Sequence, residues 1–426
     1  MLPGEGNYQN VAASVGGGTI CYGAQAWRYL PQDFRMRSTY GVPAGSSLED
    51  WPISYDDLEP AAKRLGLHPF HLPMARNSVP YNGRGPCMRC RWCLGFACEV
   101  DAKNGSQNTV IPKTLATGNS ELRTRCMAKE ILSDDRGRVR GVAYFDENGH
   151  LQEQFSDIVV LSCCAIESAR LLLNSKTRLF PNGLGNRYDQ VGRHFQGHHY
   201  TSAAGYFGFD TYDDIGPGAN IAICDHNHGT PGLVGGRMLA NEFIRLPIHM
   251  VDRLPDGTSA WGAGHKRAMR DYHKRTIFVV GPTQEIPVPD TRVTVDPSAK
   301  DKWGLPVVRV AGNVHPHTFE IGDVQARRAE AWLREAGAER TSLILNHAEL
   351  IATGTHQAGT CRMGTDPRAS VVSPHCQMHE IDNLFVIDAS VHVTNGGFNP
   401  VLTIMAVAYF ASDALIHGWK GTGYRS

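Results

Sequence analysis

The residues best suited to chemistry lie near the carboxyl end of the chain. His356 lies in a glycine- and threonine-rich loop, where a neutral imidazole with an unperturbed pKa of about 6.5 could accept a proton near neutral pH. Asn399 precedes Pro400, and its amide hydrogens could hold an oxygen atom. Each residue also has an ordinary explanation, because a lone histidine is more often a hydrogen-bonded loop residue and Asn399 suits the N-cap of a helix.

The elements around these two residues should bring them to one crevice. The apolar run 384–387 predicts a buried strand, and 388–398 predicts a loop. Asn399 as N-cap and Pro400 as first helical residue predict a helix over 401–416 that is apolar enough to be buried on most sides. In α/β proteins, ligands gather between strand ends and helix starts, where backbone donors and the helix dipole point outward.

Three consecutive glycines near the start of the chain form a second candidate contact. Gly16, Gly17 and Gly18 carry no side chains, so the backbone there could approach a flat ring closely. Taken alone, the run is more typical of a plain flexible loop.

Cysteine spacing suggests a metal site. Cys87, Cys90, Cys93 and Cys98 are four of the eleven cysteines, and thiolates at this spacing can converge on one centre, as in bacterial ferredoxin loops. The last gap is one residue longer than the ferredoxin pattern, and Glu99 replaces the usual proline. An iron–sulfur cluster, structural zinc, disulfides and unligated thiols all stay open.

Several of these segments together resemble the glucose-methanol-choline (GMC) flavin oxidoreductases. The closing order 354–364, 384–390 and 399–406 is similar to the end of that family, and the resemblance extends to the glycine loop and to residues 51–60, 119–131, 157–173 and 292–306. It implies an α/β fold with an α+β substrate domain, and it places residues 292–306 in the substrate-domain sheet.

The resemblance implies a site and a reaction. His356 and Asn399 would be catalytic, and FAD would contact Gly16, Gly17, Gly18, Thr19, Ala128, Asp388, Ala389, Asn399, Pro400 and Thr403. The expected reaction oxidises an alcohol, sugar or polyol to a carbonyl, with hydride passing to flavin N5. Some members hold an iron–sulfur cluster that serves a cytochrome or small electron-transfer subunit. Cys21 occupies the place of the histidine that tethers flavin in some relatives, so we expect non-covalent FAD.

The resemblance also predicts the domain boundaries. Residues 1–193 and 346–426 would form the FAD-binding domain, and residues 194–345 the substrate domain. No G-x-G-x-x-G loop begins the chain, so the front of the FAD domain is expected to be incomplete. Two alternatives therefore remain: a truncated, non-catalytic remnant or metal-binding module, and a flavin-containing lyase of the same fold.

Composition restricts the partners. The 426 residues include 42 basic and 42 acidic side chains, a balance that gives no field favouring nucleic acid or an anionic membrane. The most apolar predicted helix, 401–416, is shorter than the roughly 20 residues of a membrane span. No signal peptide is visible, and localisation stays open.

Overall fold

The computed structural model describes residues 13–28, 31–47, 74–90, 92–211, 222–224, 227–241, 246–251, 253–347 and 355–422. Gly354 and the segment 51–60, which carried part of the resemblance, lie outside these residues. The fold is a mixed α/β architecture, as the sequence predicts.

Five antiparallel strands form the largest sheet, in the spatial order β11, β5, β8, β7 and β6. Their bounds are β5 His198–Tyr206, β6 Ala222–Ile223, β7 Leu239–Asn241, β8 Thr276–Gln284 and β11 Arg340–Ile344. In β5, Ala203 and Ala204 are both buried but belong to different hydrophobic clusters. Because successive side chains of a strand point to opposite faces, this sheet is covered on both sides.

The helices that precede the large sheet's covering helix are α1 Met36–Tyr40, α2 Val110–Ala116, α3 Cys164–Asn174 and α4 Gly262–Tyr272. The next helix, α5 Pro316–Glu335, covers one face of the sheet. Ile321, Gln325, Ala329 and Leu333 are buried at intervals of four residues along α5, the spacing of a single helix face. Gln325 donates to the carbonyl oxygens of Met238 (2.7 Å) and Gly281 (2.9 Å), which fixes α5 over β7 and β8.

A second group of elements surrounds the carboxyl-terminal segment. It contains the antiparallel strands β1 Met127–Ser133, β2 Val139–Phe145 and β3 Leu151–Phe155, and the parallel pair β4 Val159–Leu161 and β12 Leu384–Val386. Leu161, Leu172 of α3 and Val386 are buried in the same core. The sequence predictions of strands near 157–161 and 384–387, and of a helix after the first of them, are confirmed.

One expectation about the sheets is wrong. The strands β9 Arg292–Lys300 and β10 Pro306–Ala311 form their own two-stranded ribbon, not part of the large sheet. Arg170 of α3 holds this ribbon by donating to the carbonyl oxygen of Pro306 (2.9 Å) and to the carboxylate of Asp301 (2.6 Å). These contacts attach the ribbon to α3.

The last helix, α6 Val401–Thr422, is longer than predicted and less buried. Val407 and Ala411 are buried, but Met405 and Ile416 are exposed, so only one face packs against the core. The window Val401–Gly418 is long and apolar enough to cross a membrane by length and composition alone, a test that core helices also pass. The absence of a membrane span therefore stays a prediction.

The core around α3 gives a test of the packing. Leu172 is fully buried, so Leu172→Ala should lower the free energy of unfolding by about 2–5 kcal/mol through lost burial and a residual cavity. The matched control Leu151→Ala removes a side chain that is 52% exposed and should change it by less than about 1 kcal/mol. Urea unfolding measures both, and equal losses in the two variants would contradict the assignment of this core.

Candidate active site

His356 lies in a loop that is fixed along much of its length. The backbone of Ala358 pairs with that of Gln196, just before β5 (2.8 and 3.1 Å). Farther along, the amides of Gly359 and Cys361 donate to the carbonyl oxygens of Ala389 (3.2 Å) and Ser390 (2.8 Å). These contacts join the loop to both the start of the large sheet and the segment after β12.

The backbone of His356 has a φ of 72°, in the left-handed region that costs energy for a residue with a side chain. Asn395 stabilises this conformation, because its Nδ2 donates to the carbonyl oxygen of His356 at 2.6 Å and to that of Gly197 at 3.2 Å. Strain at this position is therefore opposed by a fully buried amide side chain.

Three side chains contact the imidazole of His356. Its Nδ1 lies 2.8 Å from Nδ1 of His198 and 3.3 Å from the hydroxyl oxygen of Tyr200. On the other side of the ring, Nε2 lies 3.3 Å from Nδ2 of Asn399. The structure thus brings together the two residues that the sequence predicted as catalytic, and it adds His198 and Tyr200.

The site is partly accessible to solvent and borders a buried segment. Tyr200, His356 and Asn399 are partly exposed, whereas residues 391–398 are buried. Burial and the neighbouring His198 lower the pKa of His356 well below 6.5. The imidazole is therefore neutral around pH 7, the state in which it can accept a proton.

Asn399 does not have the N-cap role expected from the sequence. Its Oδ1 is buried with no hydrogen-bond partner, and the carbonyl oxygen of Pro400 accepts the helical bond from the Ile404 amide (2.9 Å). Pro400 is thus the boundary residue, since the N-cap is the residue whose carbonyl accepts the first intrahelical bond. The Asn399 side chain faces His356 instead of capping α6.

Asp388 and Ala389 have structural contacts of their own. The carboxylate of Asp388 accepts bonds from the Ser168 hydroxyl (2.5 Å) and the Ser390 amide (2.8 Å), which joins α3 to a single helical turn, Ala389–Val391. Burial raises the pKa of Asp388. Thr403 is also buried, in the first turn of α6. Direct contacts of Asp388, Ala389, Pro400 and Thr403 with a cofactor stay predictions.

The glycine run forms a short helical turn at Gly17–Ile20. A side chain at Gly16 would collide with Gln107, whereas Cβ atoms added at Gly17 or Gly18 would meet nothing within 4 Å. Thr19 donates to the carbonyl oxygen of Gly16 (2.5 Å). Gly17 and Gly18 therefore leave a bare backbone surface, as the approach of a flat ring requires. Ala128 lies in β1, an edge strand of its sheet, and its contact with adenine stays a prediction.

The cysteine-rich segment is held by a lysine. Lys103 is buried, and its Nζ donates to the carbonyl oxygens of Tyr22 (2.9 Å), Cys93 (2.8 Å) and Phe96 (2.7 Å). Cys87, Cys90, Cys93 and Cys98 are free thiols. Within the part of the chain that the structure describes, no group of three or more His, Cys, Asp or Glu side chains is arranged to hold a metal ion. The iron–sulfur site stays a prediction without support from this geometry.

Comparison with known proteins identifies the family of this chain. An amino-terminal family model described as GMC oxidoreductase matches residues 25–200, and its carboxyl-terminal counterpart matches residues 287–408. The chain belongs to the GMC oxidoreductase family. It is an FAD-dependent oxidoreductase of the kind that acts on alcohol or sugar substrates.

The relatives of this GMC chain include both oxidases and dehydrogenases. It is 28% identical to 6'''-hydroxyparomomycin C oxidase of Streptomyces lividus, with 97% of this chain and 81% of the relative aligned. It is 25% identical to the gluconate 2-dehydrogenase flavoprotein of Pantoea cypripedii, over 97% and 79% of the two chains. Pyridoxine 4-oxidase from Mesorbium loti has a similar fold, with a TM-score of 0.58, 16% identity and coverage of 97% and 90%.

The described residues fit the isoalloxazine end of FAD. Gly17 and Gly18 offer bare backbone, and Asn399 has a buried Oδ1 without a partner. The amides of the first turn of α6 lack intrahelical acceptors, as in every helix, and suit an electron-rich ring. No G-x-G-x-x-G sequence is available in this chain for the pyrophosphate.

A buried carboxyl group lies behind this site. Glu285 is 5% exposed, and its Oε2 accepts a bond from the amide of Gly197 (2.8 Å), the residue before His198. Burial raises the pKa of Glu285 to about 7. Sequence reasoning did not identify Glu285, His198, Tyr200 or Asn395, since none belongs to a recognised motif.

Glu285 should make stability depend on pH. Its folded-state pKa of about 7 lies above the unfolded value of about 4.3, so the folded state retains a proton that the unfolded state loses between these values. The free energy of unfolding should therefore fall as pH rises through this window. Glu285→Gln keeps an acceptor for Gly197 but cannot ionise, so it should remove the fall, which is roughly 3–4 kcal/mol at 1.36 kcal/mol per pKa unit.

Urea unfolding at pH 4 and pH 8 measures this effect. The free energy of unfolding of Glu285→Gln minus that of wild type should be larger at pH 8 than at pH 4. Glu153→Gln, at an exposed position of β3, is the matched control and should show no such increase. A difference between Glu285→Gln and wild type that is independent of pH would show that folding does not raise the pKa of Glu285.

Proposed function

We propose that this enzyme oxidises a primary or secondary alcohol group, on a simple alcohol, sugar or polyol, with His356 as general base and Asn399 as holder of the substrate oxygen. One observation carries the proposal: Nε2 of His356 and Nδ2 of Asn399 lie 3.3 Å apart in a partly exposed position. An oxygen atom placed beside both nitrogens would lie within hydrogen-bond reach of a base and a donor.

His356 would take the hydroxyl proton. Its lowered pKa keeps the imidazole neutral, so the base is available throughout the neutral pH range. The fixed loop and the contacts of Nδ1 hold the ring in one orientation, which reduces the entropic cost of aligning base and hydroxyl.

Asn399 would donate to the same oxygen as negative charge develops there. In the absence of substrate, Nδ2 of Asn399 lies 3.3 Å from Nε2 of His356; a substrate hydroxyl would replace it as the donor to that nitrogen, and Nδ2 would then donate to the substrate oxygen. A single donor of this kind is typically worth a factor of about 10²–10³ in rate. FAD, when bound, supplies the hydride acceptor.

The electron acceptor that reoxidises the cofactor is a separate matter. The relatives include proteins named oxidases and the large subunit of a fructose dehydrogenase from Gluconobacter japonicus. A cytochrome or small electron-transfer subunit stays a prediction for this chain.

His356→Ala tests the proposal. The variant should keep bound FAD but reduce it with an alcohol or sugar substrate about 10²–10⁴ times more slowly, because the general base is lost. Anaerobic stopped-flow spectroscopy measures flavin reduction. His375→Ala, which removes an exposed histidine from the same carboxyl-terminal region, is the control and should retain the wild-type rate.

Other outcomes identify the alternatives. Equal reduction rates in His356→Ala and wild type would contradict the assignment of the base. Flavin that binds but is never reduced by an alcohol would favour a lyase. A colourless protein that does not bind added FAD would favour the non-catalytic remnant.

A further inference from the structure

We propose that His198 is a positioning residue that fixes the tautomer of His356, so that the unprotonated Nε2 faces the substrate oxygen. The inference rests on the proposed role of His356 and adds the element that prepares this base for its task.

The argument starts at the backbone. Nε2 of His198 lies 3.1 Å from the carbonyl oxygen of Asn395 and 2.9 Å from that of Gly396. A carbonyl oxygen only accepts hydrogen bonds, so Nε2 of His198 must carry the hydrogen. His198 is 2% exposed, and burial lowers its pKa to about 4. The ring is therefore neutral, and its Nδ1 carries a lone pair.

The protonation of the His198 ring determines which nitrogen of His356 carries the hydrogen. The two Nδ1 atoms are 2.8 Å apart, a distance that needs one hydrogen between them. Because Nδ1 of His198 can only accept, Nδ1 of His356 must donate. His356 is then the Nδ1–H tautomer, and its Nε2 carries the lone pair. The amide Nδ2 of Asn399, 3.3 Å from that Nε2, is a donor and agrees with this assignment.

Strand alternation separates His198 from its neighbour. His198 and Tyr200 lie on the face of β5 that contacts His356, whereas His199 packs edge-to-face against Phe319 of α5, with ring centroids 5.5 Å apart. His199 is buried like His198 but has no contact with the site. It therefore provides a matched control on the same strand.

Asn395 connects the two histidines through its own backbone and side chain. Its carbonyl oxygen accepts from His198, and its Nδ2 donates to the carbonyl oxygen of His356. The same residue thus stabilises the strained backbone of His356 and fixes the proton on His198. A purely structural His198 would join β5 to this loop without determining where the proton of His356 lies.

The first test measures the tautomer directly and requires no turnover. In ¹⁵N-histidine-labelled full-length protein, the His356 ring signals are assigned by their absence in His356→Gln. We expect a protonated Nδ1 and an unprotonated Nε2 at pH 7.5, and a shift towards the Nε2–H form in His198→Phe. A protonated Nε2 in the wild type, or an unchanged tautomer in His198→Phe, would overturn the proposal.

The second test measures its consequence for catalysis. His198→Phe fills similar space without an acceptor and should slow flavin reduction by about 10–100-fold, the range found for groups that orient metal-bound histidines, with a larger effect on kcat than on KM. His198→Gln can accept from His356 and donate to the backbone carbonyls, so it should restore most of the rate. His199→Phe should leave the rate within about threefold of wild type.

Thermal unfolding and FAD content of each variant identify losses due to misfolding. Equal loss in His198→Gln and His198→Phe when both are folded, or an equal loss in His199→Phe, would contradict the positioning role. If none of the alcohols or sugars tested reduces the flavin of the wild-type enzyme, the proposed function fails. The tautomer measurement still decides whether His198 orients His356.

Discussion

The left-handed backbone at His356 is the constraint on which the site depends. With φ at 72°, the residue would relax to an ordinary conformation unless its surroundings prevented it. Hydrogen bonds from Asn395, backbone pairing with residue 196 and the contact with His198 provide that restraint. These contacts come from two parts of the chain, residues 196–198 and Asn395, so the position of the base depends on the packing of β5 against the segments around β12 and α6.

Sequence patterns predicted the local elements of the carboxyl-terminal segment well. Strand β12 is a short apolar run, and α6 begins at Val401, directly after Pro400, whose ring restricts φ. The same patterns could not predict the role of the Asn399 side chain. N-capping and contact with His356 require the same residue type, and only the packed structure shows Oδ1 without a backbone partner.

The roles of His198 and Glu285 could not be predicted without knowing which distant segments pack together. A strand beginning with two histidines shows that one faces each side of the sheet, but the sequence does not show which side meets the loop of His356. The five-stranded sheet pairs residues more than a hundred positions apart, such as those of β5 and β11. The separation of the β9–β10 ribbon from that sheet likewise cannot be predicted from local sequence. Pairing of this kind depends on tertiary packing more than on local preference.

The cysteine spacing is a local pattern that predicted a site for which the structure gives no support. Four thiols close in sequence suggested convergence on a metal, yet two carbonyl oxygens of their loop and that of Tyr22 accept hydrogen bonds from the ammonium group of Lys103. A buried ammonium group satisfied by three carbonyl oxygens is itself a stable way to order an irregular loop, since each charge-assisted bond is stronger than a neutral one.

The central claim is that His356 and Asn399 hold one substrate oxygen between them. A crystal structure of the FAD-loaded enzyme with a bound, non-reacting alcohol or sugar analogue tests it most directly. The account predicts a hydroxyl oxygen about 3 Å from both Nε2 of His356 and Nδ2 of Asn399. An analogue whose hydroxyl groups all lie beyond hydrogen-bond reach of His356, with the ring nitrogens contacting only protein, would contradict it.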